Sequence, residues 1–125
     1  MTAKITLGKP PKTFAPVDVK FEMPDGTEGA IRCTFKYRSR KQFGAFLSQT
    51  FDAPDADGAD PSVSDIMAAA VEKNGAYLVD VLDSWSLDEA LNAENAAQLA
   101  DEYPAAARAI MAAYGRAVSE GRLGN

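Results

Sequence analysis

Val17-Asp18-Val19-Lys20-Phe21-Glu22-Met23, then Pro24-Asp25-Gly26, then Ile31-Arg32-Cys33-Thr34-Phe35-Lys36-Tyr37 is the stretch that decides the fold. Val17, Val19, Phe21 and Met23 alternate with charged residues at the period of two that a strand with one wet face requires. Pro24 fixes φ and Gly26 accepts positive φ, so the break reads as a turn. Alternation then resumes with Ile31, Cys33, Phe35 and Tyr37 on the apolar side. Arg32, Thr34, Lys36 and Arg38 are expected to point outward. Towards the N-terminus, Ile5 and Leu7 suggest a short edge strand stopped by Gly8, Pro10 and Pro11.

Towards the C-terminus the period changes. Phe43, Phe46 and Leu47 fall at helical spacing behind Ser39, a residue type suited to an N-cap, and predict a short helix over 39–51. Residues 52–61, rich in Asp, Ala, Gly and Pro, read as an acidic loop. Ser62 and Asp65 form a capping-box pattern. Ile66, Ala70, Tyr77, Leu78, Val81, Leu82 and Trp85 keep one helical phase, predicting one long helix over 63–84 with Asn74-Gly75 as the place for a bend. Ser86 with Glu89 suggests a further start, Asn92 a cap for a helix to about Asp101, and Pro104 the first turn of a last helix. That helix carries Ala107, Ile110, Met111, Tyr114 and Val118 on one stripe and ends at Gly121. The expected architecture is α+β. An N-terminal antiparallel β-hairpin or small sheet (1–37) packs against a C-terminal bundle of about four to five α-helices, with 62–121 helical and 122–125 a tail. All of it falls within a single domain, 1–125.

Composition narrows the chemistry. The 125 residues include no histidine and one cysteine, so most metal sites, thiol pairs and nucleophile–base arrangements lack their usual parts. Hydrophobic residues make up 46% of the chain, too many for a wholly disordered protein, and no apolar run approaches the ~20 residues that span a bilayer. The opening Met1-Thr2-Ala3-Lys4 lacks a secretory layout and Cys33 has no disulfide partner, so a reducing cytoplasm is expected. The net charge of −5 is unevenly spread: residues 1–41 carry +5 and residues 42–125 carry −10. Such a split suits an acidic partner, internal complementarity, or self-association in which the basic region of one copy meets the acidic helices of the next. Overall acidity argues against nucleic acid.

Each candidate site also has a plainer reading. Asp55, Asp57 and Gly58 mimic part of a calcium loop, but Ala53 and Ser64 stand where its first and twelfth ligands belong, leaving a solvated acidic loop. The basic run Lys36, Arg38, Arg40 and Lys41 offers a partner-binding stripe, or merely a solvated strand edge. Cys33 on the apolar face reads as a structural thiol, and Trp85, Tyr103 and Tyr114 as core residues. Asp80 and Asp83 lie three apart with nothing to mark either as an acid or base. No catalytic residue, metal ligand or cofactor site is expected. The chain is read as a non-enzyme.

The order of whole segments is more informative. Near the front stand Leu7-Gly8-Lys9-Pro10-Pro11-Lys12-Thr13-Phe14, Asp25-Gly26-Thr27-Glu28-Gly29, and Phe35-Lys36-Tyr37-Arg38-Ser39-Arg40-Lys41-Gln42-Phe43. Towards the end follow Asp83-Ser84-Trp85-Ser86-Leu87-Asp88, Leu99, Tyr103-Pro104-Ala105-Ala106, Ile110, Tyr114, Ala117 and Gly121-Arg122-Leu123-Gly124-Asn125. In these segments the chain resembles the phage tail assembly chaperones. The resemblance implies a non-catalytic protein of the infected bacterial cytoplasm that binds the tape measure protein of a non-contractile tail, keeps it soluble, and is absent from the finished virion. It further implies tail tube protein as a second partner of a frameshifted longer form, as in many relatives. The alternative is a small regulatory adaptor for a host protein or nucleic acid. Exposed aromatics among basic residues would favour nucleic acid, whereas an apolar groove would favour the chaperone.

Overall fold

The structure, a computed structural model, describes residues 4–51 and 62–121. Strands β1 (Val17–Glu22) and β2 (Glu28–Phe35) form the expected antiparallel hairpin. Val17 pairs with Cys33, Val19 with Ile31 and Phe21 with Gly29, so the apolar sets of both strands share one face. Val19, Ile31, Cys33 and Phe35 are buried there. The turn is fixed by Gly26 at φ 89° and by Asp25, whose carboxylate accepts from the backbone N–H and the hydroxyl of Thr27. Those two bonds hold the Asp25 carboxyl below its usual range.

Four helices follow: α1 (Arg40–Phe51), α2 (Val63–Val81), α3 (Ala93–Glu102) and α4 (Pro104–Glu120). Their ends obey the local signals. The Ser39 hydroxyl accepts from the Gln42 N–H while the Gln42 side chain accepts from the Ser39 N–H, a reciprocal capping box. Ser62 accepts from the Asp65 N–H and Asn92 from the Asn95 N–H. Pro104 occupies the first turn of α4, and Gly121 closes that helix at φ 73°. Buried Ala107, Ile110, Tyr114 and Val118 make α4 the hub, packed on β1, β2 and the other three helices. Helices α2 and α3 pack closely at Gly75. A Cβ on Gly75 would lie 2.7 Å from the backbone of Ala97, so only glycine permits that spacing.

The structure corrects several expectations. The long helix stops at Val81, and Leu82–Trp85 forms a third strand, β3, antiparallel to β2 in the order β1-β2-β3. The Lys36 N–H donates to the Val81 carbonyl at 2.8 Å, locking the helix end to the sheet. No helix begins at Ser86, because its hydroxyl accepts from the Arg32 N–H and the Trp85 indole donates to the Glu89 carbonyl. Ile5 and Leu7 form no strand. They are 87% and 93% exposed, and the N-terminal segment meets the sheet only through a bridge between Thr13 and Lys36, beside buried Phe14. The apolar stripe of α2 is core only in its second half, where Tyr77, Leu78 and Val81 are buried, whereas Ile66 and Ala70 are exposed. The acidic loop, with its calcium-like residues, lies outside the described residues, as does the tail at 122–125.

Candidate functional site

The basic run sits where β2 gives way to α1, and its four side chains have different surroundings. Lys36 and Lys41 are exposed. Arg38, expected to point outward, is half-buried: its guanidinium lies 4.2 Å from the centre of the Phe46 ring and donates to the Tyr114 hydroxyl at 3.1 Å and the Asp80 carbonyl at 3.3 Å. The Tyr114 hydroxyl in turn donates to the Lys36 carbonyl. Phe46 and Tyr114, the two rings beside this arginine, belong to a cluster with Phe14, Phe35, Phe43 and Tyr77, with ring centres 5.1–6.3 Å apart in tilted, stacked and edge-on pairs. Arg38 therefore joins hairpin, α1, α2 and α4, and its charge is spent inside the molecule. Arg40, exposed, donates to the Ser119 carbonyl at 2.8 Å near the C-terminus of α4, where a cation meets the negative end of the helix dipole.

At the other end of the sheet lies an apolar groove. Phe21, Met23 and Ile31 of the hairpin form one wall, and Leu87, Leu99 and Tyr103 the other. Leu87, Leu99 and Tyr103 also line a neighbouring depression with Trp85, Gln98 and Glu102, so the two adjoin along α3. Trp85, expected as a helical core anchor, is a half-buried strand residue in that lining. Gly29 keeps the groove wall thin, since a Cβ there would lie 2.7 Å from the Met23 sulfur and 2.8 Å from the Phe21 ring. Groove and basic run stand at opposite ends of β2, separated by roughly 20 Å of strand.

A second apolar surface was not legible as such. Val63, Ile66 and Met67 are 74%, 52% and 64% exposed, and with Ala70 they continue the buried stripe of α2 beyond the body of the molecule. Keeping three such side chains wet forgoes about 1.5–3 kcal/mol each, a large part of a typical domain's net stability. Beside them, Val71 and Ala97 floor a shallow cleft between α2 and α3 rimmed by Glu72, Glu94 and Asp101.

The titratable groups inside are set for silence. Burial, with the Asp18 charge adding to it, pushes the Cys33 thiol up to about 12. Burial likewise pushes the Tyr77 phenol up to about 12 and raises that of Tyr114, where the Arg38 hydrogen bond works against the shift. A thiol so raised is a poor nucleophile at neutral pH. Asp80 contributes its carbonyl rather than its carboxylate to the Arg38 contact, and Asp83 lies on β3, not on a helix beside it. Among the described residues no group of three or more Cys, Asp or Glu is placed to hold a metal ion, and no helix is long and apolar enough to cross a membrane. The large apolar side chains left exposed there include no aromatic ring.

The whole chain, residues 1–125, matches the family model described as phage tail assembly chaperone. No curated protein and no solved structure matches.

Proposed function

The chain belongs to the phage tail assembly chaperone family, and from that membership we propose that it binds the tape measure protein of a non-contractile tail and keeps it soluble during assembly. The observation that carries this reading is the apolar groove between the hairpin and the end of α3. A long helical partner presents apolar stripes that aggregate in water, and an open groove lined by Phe21, Met23, Leu87 and Tyr103 gives such a stripe a place to lie. The net charge of −5 helps keep the resulting assembly dispersed.

The basic run Lys36, Arg38, Arg40 and Lys41 enters as a second contact. Lys36 and Lys41 supply the charges open to a partner, Arg40 divides its donors between partner and α4, and Arg38 holds the platform in place. The protein acts by binding, without catalysis, in the host bacterial cytoplasm, and leaves before the virion is complete. Tail tube protein is a further partner if a longer, frameshifted product exists. The nucleic-acid form of the adaptor reading is less well supported, because the large apolar side chains left exposed among the described residues include no aromatic ring of the kind that stacking on bases would need.

Met23→Glu and Leu87→Glu place charges in the groove at partly exposed positions. Each variant is expected to stay folded by circular dichroism and to lose at least tenfold in capture of the tape measure protein on co-expression. Undiminished capture by the double variant would remove the groove from the proposal.

A further inference from the structure

The large apolar side chains most exposed among the described residues fall into two groups of opposite charge. Ile5 and Leu7 lie on the N-terminal arm, residues 4–12, with Lys4, Lys9, Lys12 and no acid. Every residue of that arm is exposed; a turn in which the Lys9 N–H donates to the Thr6 carbonyl shapes it, the Tyr37 N–H donating to the Lys12 carbonyl ties its end to the sheet, and Tyr37, Ser39 and Gln42 border the shallow cleft it lines. Val63, Ile66 and Met67 lie on α2 beside the cleft rimmed by Glu72, Glu94 and Asp101. Helices α2 and α3 together hold six carboxylates against the single Lys73. The ion pairs among the described residues, Lys20–Glu28 and Arg32–Asp18, are both on the hairpin and use neither set.

We infer that the arm of one copy docks on the α2–α3 face of a second copy, with Ile5 and Leu7 covering Ile66 and Met67 and the three lysines meeting the acidic rim. Each feature supplies what the other lacks: apolar area for apolar area, and charge of opposite sign around it. The contact joins different surfaces, so it is heterologous and leaves one free arm and one free face at the ends of any chain of copies. A nine-residue arm is smaller than a stable dimer interface, which makes the association weak, concentration-dependent and sensitive to salt. It does not depend on the tape measure reading and is tested on the isolated protein.

The test is sedimentation velocity of the full chain across a concentration series at low and high salt. The average mass is expected to rise above 13.3 kDa at low salt and return to it at high salt. Lys4, Lys9 and Lys12 changed together to Glu, or Glu72, Glu94 and Asp101 changed together to Lys, should each abolish the rise, and mixing the two variants should restore it. Leu7→Ser, at an exposed position outside the core, should weaken association with an unchanged near-ultraviolet spectrum, and serves in place of any triple variant that does not fold. A wild-type monomer under all conditions, association unaffected by these changes, or folded variants that mixing fails to restore would each overturn the docking.

Discussion

Arg38 stands in the sequence as one cation among several, and nothing in Lys36-Tyr37-Arg38-Ser39-Arg40-Lys41 distinguishes it. Its role depends on Phe46, Asp80 and Tyr114, which are distant in the chain and meet only on folding. Arg38→Ser is therefore expected to destabilise the protein by about 2 kcal/mol, from a lost charged hydrogen-bond donor and its contact with the Phe46 ring. Lys36→Ser and Lys41→Ser should leave the urea midpoint unchanged. Equal midpoints for all three would contradict the inward placement of Arg38. The buried acids give a second expectation. Cys33 and Tyr77 keep their protons to about 12 when folded but release them from 9.0 and 10.0 when unfolded. The unfolded state thus binds fewer protons above pH 9, and stability falls as pH rises from there towards 12. With no histidine, little change is expected between pH 6 and 8. Urea titrations across this range check the sign, and a thiol reagent at pH 8 should label Cys33 only as the chain unfolds.

At the scale of elements, the hairpin and the caps of α1, α2 and α3 were legible because their signals are local: alternation, turn chemistry, and Ser or Asn before an apolar run. Strand β3 was not. Leu82 ends α2 in extended conformation without a C-cap glycine, and Val81, Leu82 and Trp85 also satisfy helical spacing. A four-residue strand with a register shift opposite Thr34 and Phe35 shows too little alternation to outweigh that phase. The same continuous phase concealed that α2 leaves the core halfway, since a stripe in the sequence carries no mark of where its cover ends. The N-caps Asn92 and Ser62 should behave differently for this reason. Asn92→Ala, on a helix packed along its length, is expected to lower global stability by about 1 kcal/mol. Ser62→Ala, at the unpacked end of α2, should leave the urea midpoint in place and accelerate hydrogen exchange only in the first turns of that helix. A shared loss of global stability would mean that the first half of α2 is held by the body of the molecule.

Over the whole molecule, the α+β architecture and the family were readable from the order of segments, whereas the binding surfaces were not. A groove exists only once Met23 on the hairpin, Leu87 after β3 and Leu99 on α3 converge, and no spacing in the chain encodes that meeting. The charge split was visible, but not its arrangement as an arm at one place and an acidic face at another. Chaperone action itself is tested most directly by co-expressing this chain with the tape measure protein and measuring complex mass by size-exclusion chromatography with light scattering. The expected result is a soluble complex holding several copies of this chain, with the tape measure protein insoluble when made alone. A tape measure protein equally soluble alone, with nothing co-eluting, would contradict it.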